Sequence, residues 1–253
     1  MSLIENSELQ RYILQFEQEG LVRRTFRRLD PERQQAILAA IMEEAGARGP
    51  GAMNIKQVAQ RAGVSVGSLY QYFGDRDTML SFAIELCVRY TVEAFDQYLP
   101  YMAAMPLREA LSAYLVGGIE WSREQAGFLT LFARAAYQGG DADLAQRLVV
   151  PIAATLRKMI EELLEQAAAR GEIRPDVDLE ATSRLIHALL IAVGDSQLLP
   201  YLNHYFQIND PALSPERILN AMLDLILNGI GYSPQPPSLK PQLPDQPIDP
   251  LPD

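Results

Sequence analysis

The sequence is poor in the residues that bind metals and form disulfides. Cys87 is the only cysteine among 253 residues, and His187 and His204 are the only histidines. A single thiol cannot close a disulfide within the chain, and these few ligands do not make a cysteine-rich or catalytic zinc site. We therefore expect no metal and no cofactor. Cys87 is expected to be a buried structural thiol, with a redox role as the alternative.

Long apolar runs are also missing, although 48% of the residues are hydrophobic. No run reaches the roughly 18 apolar residues that a bilayer-spanning helix requires. The first ten residues, MSLIENSELQ, lack the basic patch and apolar stretch of a secretory signal. The expected location is the cytoplasm, with no membrane partner.

The residues that catalysis needs are equally hard to find. No nucleophile with a neighbouring base and no paired acid and base stand out in the sequence. Glu161, Glu162 and Glu165 are clustered, but a cluster of this kind is typical of a solvated helix face. An enzyme is therefore not expected.

Positive charge is scarce, and the net charge is −10. This excess of acid argues against a nucleic-acid partner, because DNA affinity depends on neutralising phosphates. The acid is unevenly placed, however. Residues 1–80 carry ten basic and ten acidic side chains, whereas residues 81–253 carry twelve and twenty-two. The N-terminal third is therefore free to contact DNA.

Apolar residues recur at helical spacing along nearly the whole chain, which predicts an all-α fold. Prolines and glycines mark the breaks between helices. The predicted helices are Ser7–Gly20, Asp30–Arg48, Asn54–Arg61, Ser65–Phe73, Asp75–Leu99, Pro106–Ser122, Glu124–Tyr137, Asp141–Arg170, Asp178–His204 and Ser214–Ile230. Eight prolines follow Ser233 and exclude helix there; this tail is expected to be solvated or loosely docked, or to bind a partner.

Two short predicted helices, Asn54–Arg61 and Ser65–Phe73, have the pattern of a helix-turn-helix. Gly63 suits the positive φ of a tight turn, and Ser65 suits the N-cap of the second helix. Leu69 and Phe73 are expected to be buried one turn apart. The front of the second helix would then expose the residues that a recognition helix presents to base edges: Val66, Gly67, Ser68, Gln71 and Tyr72.

The run from Ala62 to Asp77, AGVSVGSLYQYFGDRD, resembles the TetR family of transcription regulators, with a close match over about residues 33–80. The resemblance implies that residues 65–68 and Gln71 approach bases, while Tyr70, Tyr72 and Arg76 hold phosphates. Arg76 stands where the family usually has lysine, and Asn54 caps the first short helix in place of a common threonine at position 53. The full set of expected DNA contacts is Asn54, Lys56, Ser65, Val66, Gly67, Ser68, Tyr70, Gln71, Tyr72 and Arg76.

The resemblance also implies the domain order. We expect an N-terminal helical extension at residues 1–29, a three-helix DNA-binding domain at 30–76, a larger helical ligand-binding and dimerisation domain at 77–232, and the proline-rich tail at 233–253. Four arginines in the extension are open to two interpretations, an arm that reaches DNA or a solvated helix face: Arg23, Arg24, Arg27 and Arg28.

The larger domain, which we call the body, contains aromatic residues with a few polar ones, the composition of an apolar ligand pocket. The expected ligand is an unknown small molecule, mainly apolar, and the candidate contacts are Phe95, Trp121, Phe128, Phe132, Tyr137, His187 and Asp195. The resemblance places a homodimer interface on the last two long helices, with candidates Leu185, Ala188, Leu189, Ala192, Ala221, Met222 and Leu225.

The function implied is a repressor that a small molecule releases from its DNA operator, with the Asp75–Leu99 helix linking the two domains. The alternative is a helical protein-interaction module that has lost DNA binding. Retention of Tyr70, Tyr72 and Arg76 argues against that alternative.

Overall fold

A computed structural model describes residues 4–138 and 142–231, and every regular element in these ranges is a helix. An isolated β-bridge joins Ile173 to Gly231. The predicted all-α class is confirmed. The proline-rich tail and the predicted break at Gly139-Gly140 lie outside the described residues. None of the described helices is long and apolar enough to cross a membrane.

The first five helices form the N-terminal part of the protein. They are α1 (Asn6–Gln18), α2 (Arg24–Arg27), α3 (Pro31–Arg48), α4 (Ile55–Ala62) and α5 (Val66–Phe73). The short helix α2 was not predicted, because four residues are too few to show a helical period. The predicted N-cap of α3 is confirmed, since the Asp30 carboxylate accepts a 2.8 Å hydrogen bond from the Arg33 N–H.

The remaining helices form the body. They are α6 (Arg76–Ala103), α7 (Leu107–Glu124), α8 (Ala126–Ala133) with a π-helical turn (Arg134–Gln138), α9 (Ala142–Leu144) with a π-helical turn (Ala145–Val149), α10 (Val150–Ala169), α11 (Leu179–Leu198), α12 (Pro200–Phe206) and α13 (Pro215–Ile230).

Two prolines account for differences from the predicted helices. Pro100 was expected to end α6, but the helix continues for another turn. A proline inside a helix removes one N–H bond and crowds the carbonyl four residues before it, and burial of Met102 in the body core opposes that cost. By contrast, Pro200 starts a new helix where one continuous helix was predicted.

The buried side chains fall into two clusters. One lies within the body and is formed mainly by α7, α10, α11 and α13. The other contains the first five helices together with the N-terminal half of α6, α8 and the start of α10. The extension is therefore part of a shared core with α5 and α6.

Aromatic rings fill the centre of this shared core. The Phe26 ring of α2 is fully buried, with its centroid 5.0 Å from that of Phe73 on α5 and 5.5 Å from that of Phe82 on α6. Phe16 of α1 meets Phe82 at 5.5 Å in an edge-to-face arrangement. Such ring pairs contribute about 0.5–1.5 kcal/mol beyond their buried area. One ring thus joins three helices.

Close packing between α3 and α8 depends on a glycine. A Cβ at Gly46 would lie 2.9 Å from Cγ2 of Thr130, nearer than ordinary contact allows. Gly46 therefore lets the backbone of α3 approach α8, although glycine inside a helix costs about 1 kcal/mol relative to alanine.

Replacing Phe26 by alanine tests the role of the extension. The change would leave a cavity between α2, α5 and α6, and we expect the free energy of unfolding to fall by about 3–5 kcal/mol. Urea unfolding followed by circular dichroism measures this loss. Leu14 on α1 is 50% exposed, and Leu14→Ala is the matched control, with an expected change within about 0.5 kcal/mol. Equal stability of the two variants would contradict the assignment of the extension to the core.

Candidate functional site

The turn between α4 and α5 is built by capping residues at both helices. The Asn54 side chain accepts a 3.0 Å hydrogen bond from the Lys56 N–H, and Ser65 Oγ accepts one of 3.0 Å from the Ser68 N–H. Gly63 has φ of 65°, in the left-handed region that favours glycine. The predicted caps and the predicted turn glycine are confirmed, and together they fix the angle between the two helices.

Buried residues hold the helix pair against the core. Val58 and Ala59 anchor α4, and Leu69 and Phe73 anchor α5. Because these residues occupy the inner face, the opposite face of α5 lies at the surface. This is the arrangement of a helix-turn-helix, with α5 in the place of the recognition helix.

The expected DNA contacts gather around α5, but they differ in exposure. Lys56, Ser65, Gly67, Tyr70 and Gln71 are exposed. The partly buried members are Asn54, Val66, Ser68, Tyr72 and Arg76. Val66 and Tyr72 also pack against the core, so their side chains present only part of their surface.

Gly67 is not required by the packing of the chain. A Cβ placed there would meet only the Ser65 hydroxyl oxygen, at 3.7 Å, among described atoms beyond its own helical backbone. The surface above Gly67 is therefore open, and it lies in the first turn of α5.

A buried carboxylate fixes the loop before α4. Glu44 of α3 is fully buried and accepts a 3.2 Å hydrogen bond from the Asn54 N–H. It also forms ion pairs with Arg61 and Arg48. Burial favours the neutral acid, but these hydrogen bonds and charges outweigh it and hold the pKa of Glu44 below its ordinary value. The sequence gives no sign of this role, because Glu44 resembles any other residue of a charged helix.

The extension caps the other end of α5. The Arg23 N–H donates to the Tyr72 carbonyl at 2.8 Å, and Thr25 Oγ1 donates to the Gln71 carbonyl at 2.8 Å. The last carbonyls of a helix have no partner within it, so these bonds complete α5. Of the four arginines, Arg27 pairs with Glu17, while Arg23, Arg24 and Arg28 are exposed, and the Arg23 guanidinium lies beside Gly74 at this end of the helix.

The body contains a partly open cavity of about 250 Å³. All seven residues predicted as ligand contacts line it, on helices from α6 to α11. They are Phe95, Trp121, Phe128, Phe132, Tyr137, His187 and Asp195. Tyr114 and Cys87 also line the cavity and were not among the predicted contacts. Burial raises the pKa of the Cys87 thiol to about 12, which agrees with the expected structural thiol.

The polar groups of the cavity are few and strongly affected by burial. The Tyr137 hydroxyl donates to the Asp195 carboxylate. Burial raises the pKa of Asp195, although the bond from Tyr137 partly opposes the shift. Burial and the charge of Asp195 raise the pKa of Tyr114. Burial, together with the charge of Arg157, lowers the pKa of His187.

The π-helical turn after α8 connects the cavity with α3. Arg134 at its start donates to the carbonyls of Ala47 and Arg48, each at 3.2 Å, and to that of Gly46 at 3.4 Å. Tyr137, three residues later, lines the cavity. Arg134 thus caps the C-terminal end of α3. Arg134 and the end of α3 are almost ninety residues apart in the sequence, so no local pattern predicts their contact.

The residues predicted for a dimer interface are mostly exposed. Leu185 is 73% exposed and Leu225 is 69% exposed. Ala188 and Ala221 are exposed, and Leu189 and Ala192 are partly buried. Met222 differs from the expectation, because it is buried in the body core on the inner face of α13.

Residues 37–81 match the family described as bacterial regulatory proteins, tetR family. This range contains the end of α3, both helices of the helix-turn-helix and the start of α6.

Two curated relatives that align over longer stretches of the chain are also HTH-type transcriptional regulators. The HTH-type transcriptional regulator BetI of Yersinia pestis is 30% identical over 95 residues, which are 38% of this chain and 48% of BetI. The chain therefore spans about half the length of that relative. The HTH-type transcriptional repressor KstR of Mycobacterium tuberculosis is 27% identical over 179 residues, covering 71% of this chain and 75% of KstR.

The fold agrees with that of a solved regulator. A TetR family transcriptional regulator from Chloroflexus aurantiacus superposes with a TM-score of 0.56 at 20% identity, covering 84% of this chain and 99% of that one. At this identity the likeness concerns the fold alone. The helix-turn-helix therefore lies in a segment that matches the tetR family of bacterial regulatory proteins, and the chain is similar to HTH-type regulators beyond that segment.

Proposed function

We propose that the protein is a transcription regulator, a repressor that binds a DNA operator as a homodimer and leaves it when a small molecule fills the cavity. The observation that carries this proposal is the first turn of α5. It is capped by Ser65, open above Gly67 and set on a helix-turn-helix whose inner face is buried. These are the properties of a helix that enters the major groove.

The expected contacts divide by position into two kinds. Residues 65–68 and Gln71 lie at the front and outer face of α5 and would approach base edges. Tyr70 is 44% exposed, and Tyr70, Tyr72 and Arg76 lie further along, where they would hold phosphates. Lys56 is exposed near the start of α4, whose amide groups also suit phosphate binding.

The dimer is supported by the exposed leucines of α11 and α13. Exposed apolar side chains of this size at helical spacing are typical of helix-to-helix interfaces. A two-fold dimer would present two copies of α5 to two half-sites of one operator.

The link between cavity and DNA is supported by the turn from Arg134 to Gln138. A ligand that changes the bond between Tyr137 and Asp195 would move this turn, and with it the guanidinium that caps α3. Helix α3 packs against α4, and Glu44 of α3 holds the loop before α4. The cavity therefore has a short route to the helix-turn-helix through packed residues.

Two substitutions test DNA binding on a fragment containing the DNA upstream of the gene. Tyr70→Ala is expected to weaken binding by about tenfold to a hundredfold, because a hydrogen bond to a charged group contributes about 1.5–3 kcal/mol. Arg76→Ala is expected to weaken binding and also to reduce the slope of log K against log salt by about one, since it removes one phosphate contact. A fluorescence anisotropy titration at several salt concentrations measures both.

The controls for this test are residues of the body. Tyr101 is 71% exposed near the end of α6, and Arg123 is exposed at the end of α7. Tyr101→Ala and Arg123→Ala should bind as the wild type does. If the wild type has no preference for this fragment at low salt, or if all four variants bind alike, the regulator assignment is wrong.

A charge placed on the exposed leucines tests the dimer. Leu185→Glu and Leu225→Glu would bury carboxylates in an apolar interface, so we expect the dimer to shift to monomer, measured by analytical ultracentrifugation. Leu14→Glu, at an exposed leucine of α1, is the matched control and should leave the mass unchanged. A wild-type chain that sediments as a monomer at micromolar concentration would exclude the proposed homodimer.

A double-mutant cycle tests the link from cavity to DNA. Tyr137→Phe removes only the hydroxyl that contacts Asp195, and Arg134→Met removes the cap of α3. We expect each to change operator affinity, and the pair to be non-additive by at least about 0.5 kcal/mol. Tyr98→Phe, at a tyrosine of α6 that is 61% exposed, is the control. Additive effects would show that the two residues act separately and would contradict this route.

A further inference from the structure

The charge of the cavity is set by one residue. Asp195 is the one acidic side chain among the described residues that line the cavity, and none of them is a lysine or arginine. Burial raises the pKa of Asp195, and a bound cation would hold its side chain in the ionised form. Arg157 is close enough to lower the pKa of His187, but its guanidinium is paired with Glu161. A negatively charged ligand would therefore meet a second negative charge without a compensating cation. Burying an unpaired ion in such a place is strongly unfavourable.

Among the polar groups of the cavity that can accept hydrogen bonds, three are available to a ligand. The Asp195 carboxylate is an acceptor. Within the described part of the chain, the Tyr114 hydroxyl and Nδ1 of His187 are buried without a hydrogen-bond partner. Because burial keeps this histidine neutral, Nδ1 accepts when the proton lies on Nε2. Tyr114 is only 7% exposed, so its hydroxyl has to find its partner inside the protein, on water in the cavity or on a ligand.

Aromatic rings form much of the remaining wall. The Trp121 ring lies 5.6 Å from that of Phe95 and 6.1 Å from that of Tyr90, on which it stacks, and these contacts hold it at the edge of the cavity. Phe128 and Phe132 complete this side. The faces of such rings attract cations, most strongly in the case of tryptophan.

We infer that the cavity binds a compact hydrophobic amine in its protonated form, with the ammonium group at Asp195 and the apolar part among the aromatic rings. This inference rests on the proposed ligand-responsive function. An ammonium group has three N–H donors and no acceptor, which suits a cavity that offers a carboxylate and two acceptors without a partner. A neutral alcohol supplies one donor, and a carboxylate supplies none. The volume of about 250 Å³ suits a small molecule.

Trp121 provides a direct measurement, because it is the only tryptophan in the chain and it lines the cavity. Three probes with the same apolar part and different polar ends are titrated against the full chain in the absence of DNA: phenylbutylamine, phenylbutanol and phenylbutanoate. The change in tryptophan fluorescence gives each Kd. We expect the amine to bind about tenfold more tightly than the alcohol, and the carboxylate to bind most weakly, as is usual for close buried charge pairs.

The Asp195→Asn variant identifies the cause of the preference. It keeps the shape of the side chain and removes its charge, so the amine and the alcohol should then bind within about threefold of each other. Asp96→Asn, at an exposed aspartate of α6 outside the cavity lining, is the matched control and should keep the wild-type order. Thermal unfolding of each variant establishes that it is folded.

The inference is overturned if the carboxylate binds most tightly, if none of the probes changes the fluorescence, or if Asp195→Asn leaves the preference for the amine intact. These outcomes are separate from those of the DNA titration. A chain that prefers the amine but binds no operator would retain this inference and lose the proposed function. A chain that binds its operator but shows no preference for the amine would retain the proposed function and lose this inference.

Discussion

The packing of Phe26 between Phe73 and Phe82 is the contact on which the rest of the N-terminal structure depends. It joins the extension, the recognition helix and α6 in one buried cluster. At the edge of this cluster, Arg89 of α6 pairs with Glu19, and Arg11 and the buried Tyr12 contact Glu93. Contacts from α2 to α5 and from α1 to α6 therefore hold together the two helices that meet at the Gly74 turn. Since a packed core does not deform gradually, α5 and the first half of α6 are expected to move as one unit.

This rigidity limits how the body can influence α5. Helix α6 belongs to both parts, because its first half lies in the shared core and its middle lines the cavity through Cys87, Thr91 and Phe95. The Arg134 cap supplies a second connection, to α3. A ligand in the cavity thus contacts two elements that lead to the helix-turn-helix, and a different fit in each state of the body would bias the position of α5.

Local signals account for most of what the sequence predicted correctly. The roles of Asn54, Gly63 and Ser65 depend on backbone within three residues of each. They can therefore be predicted from the sequence without knowledge of the fold. The roles of Glu44 and Arg134 depend on partners that only folding brings near. Composition predicts the candidate ligand contacts, and all of them line one cavity. Composition did not show that Tyr114 and His187 would lack partners there, because that depends on every neighbour in the packed body.

The uneven distribution of charge agrees with both proposed binding events. Residues 81–253 carry the whole net charge of −10, and residues 1–80 carry none. An acidic body repels DNA, so approach is favoured only with the N-terminal end and α5 toward the duplex, and this orientation effect weakens as salt rises. The same field raises the local concentration of small cations. A cavity whose one carboxylate is Asp195 would then receive a protonated amine more readily than an anion of equal size.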